Sequence, residues 1–124
     1  MNDQAIEQEI QAKGLTAPRI TPPMIEANIV SEYFFTGTDG LKGSLHSQGI
    51  VVELGTKGIG VLSLLTFCVL VLKNGFTVTG ESACASPENF DAELGRKIAR
   101  KNAVAKIWPL LGFSLKQKLH EAAK

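Results

Sequence analysis

The chain has 124 residues, of which 44% are hydrophobic and 20% are charged. This length suits one domain with a sizeable core, and the composition excludes an intrinsically disordered chain. The net charge of +1 hides a strong polarity: residues 1–40 carry two basic against six acidic side chains, and residues 94–124 carry eight basic against one acidic. Such a molecule can pair its own two ends, pair with copies of itself, or hold an anion at its basic end.

Neither a secretory signal nor a membrane span is expected. The first residues are acidic and lack an apolar stretch, unlike a signal peptide. The longest apolar run, residues 59–72, would extend roughly 21 Å as a helix, which is short of the ~30 Å hydrocarbon layer. We therefore expect a cytoplasmic protein.

The N-terminal part is predicted to hold two helices. Residues 3–13 indicate a weak helix ended by a glycine, within a flexible leader that covers residues 1–19. Thr21 can cap the second helix, because a proline follows it in the first turn, where a missing N–H costs nothing. The apolar spacing carries this second helix from Pro22 to Phe35.

A glycine-rich loop is predicted at residues 36–60. This segment contains seven of the twelve glycines and no long periodic pattern. We interpret it as an exposed loop with one short strand at Ile50–Leu54.

An Asn-Gly pair at residues 74–75 lies between two apolar runs and is the strongest hairpin signal in the chain. A two-residue turn there would pair Lys73 with Phe76 and continue outward in that register. The same register places Cys68 and Cys84 on opposite faces of the hairpin, so no disulfide between them is expected.

A helix start is predicted at residues 86–88, where a serine cap is followed by a first-turn proline and an acid. We expect this helix to run to about Trp108, where Pro109 kinks or ends it. A short closing helix over residues 115–122 would then begin after Ser114. Together the elements predict an α+β fold, a small single domain over residues 20–124 in which an antiparallel hairpin or sheet is packed by this long C-terminal helix and an N-terminal helix.

The long helix presents two apolar strips at 100° per residue. A helix with small residues on one side and bulky residues on the other often packs between two neighbours, one of which can be a symmetry mate. The small strip holds Ala92, Ala99, Ala103 and Ile107, and the bulky stripe holds Phe90, Leu94, Ile98, Val104, Ala105 and Trp108.

Lys101 falls near the centre of the bulky stripe and allows two interpretations. Its stem can follow the apolar surface while the ammonium reaches water. Alternatively, it belongs to a site for an anion such as phosphate, carboxylate or nucleic acid, in which Phe76 or Phe90 stacks on a base. The cations of that candidate site are Arg96, Lys97, Arg100 and Lys101.

The turn between hairpin and helix, residues 80–89, is a second candidate. Backbone N–H groups at a helix start suit polar ligands, and Glu81 and Asn89 would then select donor and acceptor groups. The alternative is a capped connection in which Glu81 is buried and bonded to the backbone.

No recognisable catalytic set is present, so we expect a protein that is not an enzyme and needs no metal or cofactor. His46 and His120 have no Cys or His partner at metal-ligand spacing, and Cys84 has no histidine near it in sequence. Residues 55–60 lack the Gly-Lys-Ser/Thr ending of a phosphate loop.

Three segments of the chain resemble the gene-49/gene-66 family of small tailed-phage and prophage proteins, which is named after two phage founders. They read ITPPMIEANIVSEYFF, LLTFCVLVLKN and GFTVTGESACASPENFDAELGRKIARKNAVAKIWPLLGF. The resemblance covers about residues 20–119 and is most specific across residues 64–113. It implies a phage or prophage origin and action in the cytoplasm of the infected bacterial host, and it transfers no catalytic residues.

Three functions stay open at this stage. The first is a non-catalytic homo-oligomeric sponge that sequesters a phosphate-bearing nucleotide immune signal, such as a small cyclic nucleotide or an ADP-ribose-type molecule, as some accessory phage proteins do. The second is an adaptor or inhibitor that binds a host or phage protein through its helices. The third is nucleic-acid binding with a steep salt dependence.

Overall fold

A three-stranded antiparallel sheet carries one long helix on one face in the computed structural model, which describes residues 2–50 and 60–124. The strand order is β1-β2-β3, and the predicted α+β class is confirmed. In chain order the elements are α1 (Asp3–Ala12), α2 (Pro22–Asn28), β1 (Ile29–Thr36), α3 (Gly37–Ser47), β2 (Leu65–Leu72), β3 (Thr77–Ala83), a 3-10 turn (Pro87–Asn89) and α4 (Ala92–Ala122).

The central strand β2 separates the two faces of the sheet. Its side chains alternate strictly between buried and half-buried positions, as expected when one face is covered and the other is open. The covered face contributes Cys68, Leu70 and Leu72 to the core, and Val78 of β3 joins them.

The small-residue side of α4 packs on this covered face. Ala99, Ala103 and Ile107 are fully buried at a spacing of four residues, so they lie on one stripe of the helix. Gly80 of β3 allows the close approach, because a Cβ there would overlap the carbonyl oxygen of Ala99 and the amide nitrogen of Ala103. The fold therefore depends on small residues on both sides of this contact.

The predicted helix from Pro22 to Phe35 is wrong in its second half. Thr21 caps α2 as predicted, but the helix ends at Asn28 and the chain continues as β1. Residues 29–36 are mostly β-branched or aromatic, and such residues favour strands. A short apolar run can fit the periodicity of a helix or that of a strand. Here the segment forms a strand that pairs with β2 along seven residue pairs.

The predicted loop at residues 36–60 contains a helix, α3, at its start. Thr36 and Asp39 form a capping box: each side chain accepts a hydrogen bond from the other's backbone N–H, at 3.1 and 3.0 Å. The spacing Thr-x-x-Asp is a known start signal, which outweighs the helix-weakening glycines. The predicted strand at Ile50–Leu54 falls almost entirely within residues 51–59 and so lies outside the described residues.

The hairpin forms at the predicted Asn-Gly pair, but its register is shifted by one residue. The Gly75 N–H donates to the carbonyl of Leu72 at 2.9 Å, and the Leu72 N–H donates to the carbonyl of Phe76 at 2.8 Å. Gly75 has a φ of 88°, so the loop has three residues and a left-handed glycine. Val71 consequently pairs with Thr77, and the predicted pairing of Lys73 with Phe76 is wrong.

The shifted register also changes the argument about the cysteines. The Cys84 N–H donates to the carbonyl of Leu64 at 3.0 Å, so strand alternation places Cys84 on the same side as Cys68 rather than the opposite side. Both thiols are free. About 13 Å of strand separates the two positions, beyond the ~7 Å between Cα atoms that a disulfide tolerates. Burial raises the pKa of the Cys68 thiol.

Helix α4 begins later and ends later than predicted. Ser86 makes no side-chain capping bond, and residues 87–89 form only a 3-10 turn. Asp91 caps α4 instead, by accepting a hydrogen bond from the Leu94 N–H at 3.0 Å. Pro109 lies inside the helix, which continues to Ala122, so the predicted break at Pro109 and the separate closing helix are wrong.

The predicted N-terminal helix is present as α1, and it packs against α2 and α4. Asp3 accepts a hydrogen bond from the Trp108 indole N–H at 3.1 Å. The buried Glu7 accepts two hydrogen bonds from Arg19 and one from Gln11, and the bonds from Arg19 hold the Glu7 pKa below its usual value. The flexibility of residues 1–19 stays a prediction.

Candidate functional site

The bulky stripe predicted on the long helix faces away from the sheet. Lys101 lies two residues beyond the buried Ala99 and is therefore rotated about 200° from it, to the side opposite the sheet. Further along the same side, Val104 and Trp108 are half-buried and pack against the core. Nearer the start of α4, however, Leu94 and Ile98 are 53% and 41% exposed.

Arg100 is the one predicted cation that the fold uses internally. Its Nη1 and Nη2 atoms donate to both carboxylate oxygens of Glu26 at 3.0 and 2.8 Å, and its Nε donates to Glu32 at 2.7 Å. These bonds raise the Arg100 pKa and hold the Glu26 pKa below its usual value. Because its donors already serve two carboxylates, Arg100 links α4 to α2 and β1 and is removed from the predicted anion site.

The other three cations of the predicted site are accessible. Lys97 pairs with Glu93 at 3.3 Å, but both side chains are more than two-thirds exposed, and such a pair on one helix is worth only ~0.3–0.5 kcal/mol. Arg96 and Lys101 are exposed and make no ion pair with any residue that the structure describes. These three side chains can therefore take an anion at little energetic cost.

The predicted polar and aromatic residues divide between the two ends of the sheet. Asn89 in the 3-10 turn and Phe90 after it lie beside the start of α4, and the Phe90 ring lies next to Gly95. Glu81 is exposed on β3, and its backbone carbonyl accepts a hydrogen bond from the Asn102 side chain at 2.7 Å. The prediction that Glu81 is buried is thus wrong.

Phe76 is separated from this group. It lies at the hairpin turn and borders a cavity with Leu110 and Ser114 of α4, whereas Asn89 and Phe90 precede the first residue of that helix. The distance from Ala92 to Leu110 along a helix is about 27 Å at 1.5 Å per residue. Phe76 therefore does not belong to the group that Asn89 and Phe90 form at the start of α4, and the two predicted rings cannot stack on the same base within one copy of the chain.

What the structure brings together is an exposed surface on the first half of α4, which we name the α4 patch and define as Leu94, Lys97, Ile98 and Lys101, the side chains that lie on the outward side of the helix. Arg96 is rotated about 140° around the helix from Lys101, toward Arg100 and the alanine strip, and therefore lies outside the patch. The side chains of the patch line none of the four cavities that we describe near α1, α2 and the hairpin end. The patch is therefore a surface that combines apolar side chains with unneutralised positive charge.

The sequence contained no direct signal for the partners of Arg100. Glu26 and Glu32 lie 74 and 68 residues from Arg100 in the chain, and the predicted helix over residues 22–35 concealed their arrangement. The charge polarity of the chain did indicate that its two ends could pair. Arg100 forms such pairs with two of the six acidic residues of residues 1–40.

The comparison with known protein families identifies a match over the folded region. The family described as "Phage protein (N4 Gp49/phage Sf6 gene 66) family" matches residues 20–119. The chain belongs to this family. The match confirms the resemblance drawn from the sequence and includes α2, the whole sheet and the α4 patch. No curated protein and no solved structure shows a significant match to the chain.

Two further features bear on the kind of ligand. Within residues 2–50 and 60–124, no cluster of three His, Cys, Asp or Glu side chains is placed to hold a metal ion. Of the helices described, none has the length and apolar character needed to cross a membrane.

Proposed function

We propose that this phage protein is a non-catalytic sponge, which sequesters a phosphate-bearing nucleotide immune signal between copies of itself and so counters a host defence. The ligand class is a small cyclic nucleotide or an ADP-ribose-type molecule. The protein would bind this signal without converting it, and its effect would depend on its abundance in the infected cell.

One observation carries the proposal: the side chains on the outward side of α4 are half-buried in one part of the helix and exposed in the other. Val104 and Trp108 are half-buried, whereas Leu94 and Ile98 are exposed with Lys97 and Lys101 among them. Exposed apolar side chains that form a contiguous group indicate an interaction surface. The cations in the same group indicate that this interaction includes an anion.

A second copy of the chain is the partner that fits these properties. Lys97 and Lys101 are both exposed, so a small ligand on the patch would stay open to water in a single copy. Two patches facing each other across a two-fold axis would cover Leu94 and Ile98, and they would repel each other through their lysines unless an anion lay between them. Ligand and oligomer would then stabilise one another.

The residues of the patch would have separate roles. Lys97 and Lys101 would hold the phosphate as point charges, whereas the guanidinium of Arg96, on another side of α4, could reach the same phosphate only from another copy. Phe90 and Asn89 lie at the start of the helix, where a ring can stack on a base and an amide can read its edge. Phe76, at the hairpin end, would not belong to this set.

Calorimetry with cyclic dinucleotides, cyclic trinucleotides and ADP-ribose derivatives tests the proposal. We expect one ligand class to bind below about 10 μM, roughly −7 kcal/mol, and the variant Lys97→Gln/Lys101→Gln to bind it at least tenfold more weakly. Lys124→Gln, which removes one charge from the other end of the chain, is the matched control and should bind normally. Failure of every ligand at 10 μM would refute the proposal, and tight binding of DNA that weakens steeply between 50 and 200 mM salt would favour nucleic-acid binding instead.

A protein-binding adaptor is the second candidate, and the open face of the sheet favours it. Tyr33 is 57% exposed on this face, and Phe35 and Phe67 stack there with their ring centres 5.4 Å apart. Aromatic side chains at a surface are frequent anchors of protein interfaces. A stoichiometric host protein that copurifies with the wild type and is lost with Tyr33→Ala would support this function, whereas loss with Lys101→Gln alone would not.

A further inference from the structure

A second cationic feature lies at the hairpin end of the molecule, where its nearest α4 residue, Leu110, is about 14 Å along the helix from Lys101 of the patch. Two adjoining cavities of about 440 and 370 Å³ share five lining residues and form one groove. We name it the hairpin-end groove. The shared residues are Asn28, Lys73, Leu111, Ser114 and Lys118.

The groove contains no acidic side chain among its described lining residues. Lys73 and Lys118 are exposed, and neither pairs with a carboxylate of the described residues. Arg19 also borders one cavity, although Glu7 already neutralises it. The groove thus keeps two uncompensated positive charges on opposite walls, one from the hairpin and one from α4.

The polar groups between these charges are arranged as hydrogen-bond donors. The Lys73 N–H donates to the side-chain oxygen of Asn28 at 3.2 Å, and the Phe76 N–H donates to the side-chain oxygen of Asn74 at 2.9 Å. An amide whose oxygen accepts from the backbone has its NH₂ group left as the available end. Together with the Ser114 hydroxyl and the two lysine ammonium groups, these amides make the groove rich in hydrogen-bond donors.

An apolar wall completes the groove. Phe76 is 55% exposed beside Leu110 and Leu111, so a ring of a ligand could lie against it without displacing another side chain. Sites for small molecules are commonly 300–1,000 Å³ and combine apolar walls with a few placed polar groups. The hairpin-end groove meets both conditions.

We infer that the hairpin-end groove is a separate binding site for a small anion that carries both a phosphate and a flat ring, which is the chemistry of a nucleotide. Lys73 and Lys118 would hold the phosphate from two sides, the Asn28 and Asn74 amides would donate to its oxygens, and Phe76 would contact the ring. This site does not depend on the α4 patch or on a second copy of the chain.

ADP is a suitable probe, with adenosine and inorganic pyrophosphate as its two halves. In a ¹⁵N-labelled sample of the full chain, added ADP should shift the backbone amide signals of Gly75, Phe76 and Ser114. ADP should also bind at least fivefold more tightly than either half. Equal binding of pyrophosphate and ADP would overturn the assignment of the ring to Phe76, and shifts confined to residues 89–101 would overturn the site itself.

Matched variants distinguish specific binding in the groove from non-specific attraction of ADP to a basic surface. Lys118→Gln and Phe76→Ala should each weaken ADP binding about tenfold. The controls are Lys116→Gln, which removes the same charge from the same helix outside the groove, and Phe113→Ala, which removes a 74% exposed ring that does not line it. If Lys116→Gln weakens ADP as much as Lys118→Gln, the inference fails.

The same experiment distinguishes this site from the proposed function. Lys97→Gln/Lys101→Gln should leave ADP binding at the groove unchanged, because both residues lie outside it. Loss of ADP binding in that variant would contradict the groove, whereas failure of the cyclic ligands at the patch would leave ADP binding at the groove as predicted here.

Discussion

Gly80 is the residue on which the contact between sheet and helix depends most directly. A Cβ at this position would lie within 2.9 Å of the Ala103 Cα and would overlap the neighbouring backbone atoms of α4. Backbone atoms of a long helix cannot move aside as a side chain can, so the helix itself would have to shift.

We predict that Gly80→Ala lowers the free energy of unfolding by about 1–3 kcal/mol, the range seen when a packed core is overfilled. Urea denaturation followed by circular dichroism measures the change. The matched control is Gly112→Ala, where a Cβ meets nothing within 4 Å and the helix should gain about 0.5–1 kcal/mol. Equal stability of Gly80→Ala and the wild type would show that α4 does not lie this close to β3.

Arg100 is the residue that makes part of the stability depend on pH. Its hydrogen bonds lower the Glu26 pKa in the folded state, so the folded protein binds a proton at Glu26 less readily than the unfolded chain does. This contribution is complete above the unfolded pKa of about 4.3 and is lost as the pH falls through the lower folded pKa.

We predict that Arg100→Gln costs about 1–2 kcal/mol at pH 7 and that the difference from the wild type narrows as the pH falls from 5 to 3. Urea unfolding at pH 7, 5 and 3 provides the test. Lys97→Gln is the control, since its exposed pair with Glu93 should change the stability by less than about 0.5 kcal/mol. A constant difference at all three pH values would contradict the role of the Glu26 carboxylate.

At the scale of elements, Pro109 is the feature most at odds with its surroundings. A proline inside a helix removes one backbone hydrogen bond and crowds the preceding turn, at a cost of about 3 kcal/mol. Nevertheless α4 continues for 13 residues beyond it. Leu111, which packs on the core two residues later, offsets part of that cost.

We predict that Pro109→Ala stabilises the protein by about 1–3 kcal/mol, because the alanine restores the missing bond within an intact helix. The urea midpoint and the helical circular dichroism signal should both rise. Pro87→Ala is the control, since Pro87 starts a 3-10 turn where its fixed φ is favourable, and this change should not stabilise. No gain from Pro109→Ala would indicate that the helix ends at residue 108 after all.

The attachment of α1 can be followed through the only tryptophan in the chain. Asp3 bonds the Trp108 indole and Glu7 bonds Arg19, so these two carboxylates hold α1 against the rest of the domain. We predict that Asp3→Asn/Glu7→Gln moves the Trp108 fluorescence emission to longer wavelength, as water replaces α1 over the indole.

The control for this prediction is Glu9→Gln, which affects only a pair with Lys13 at the exposed end of α1 and should leave the emission unchanged. An unchanged spectrum in the double variant would mean that α1 does not cover Trp108 in solution, in agreement with the leader predicted to be flexible.

The sequence correctly predicted those elements that are determined by residues close together in the chain. The Thr21 cap, the Asn-Gly turn and the presence of a long C-terminal helix all depend on residues within four positions of each other, and all three are found. The predicted register of the hairpin and the predicted ends of α4 were wrong. A three-residue loop and a cap at Asp91 have local sequence signals almost as strong as those of the predicted two-residue turn and the predicted cap at Ser86. Strand β1 could not be predicted in this way, because it is stabilised by pairing with β2, which lies far from it in the sequence.

At the scale of the whole molecule, the charge polarity has two outcomes. Part of the acidic N-terminal charge is used by Arg19 and Arg100. Most of the basic charge of α4 stays exposed, and three of its lysines contribute to the α4 patch and the hairpin-end groove. The sequence predicted the cations of the first, but it could not predict that Arg100 would be neutralised, nor that Lys73 and Lys118 would meet from positions 45 residues apart.

The orientation of α4 on the sheet explains how the candidate site changed. Periodicity shows which residues share a side of a helix, but it does not show which of two apolar sides meets the sheet. Gly80 decided this by admitting only the alanine side. As a result Leu94 and Ile98 were left exposed beside Lys97 and Lys101, and this exposure is the basis of the proposed oligomer.

Native mass spectrometry of the protein purified from cells tests the central claim most directly, because it reports the subunit number and any retained small molecule together. We predict an oligomer that carries a phosphate-bearing nucleotide, and we predict that Ile98→Glu yields monomers without ligand, whereas the control Phe113→Glu leaves the assembly intact. A monomeric wild type that neither retains nor binds a nucleotide at the α4 patch would contradict the account.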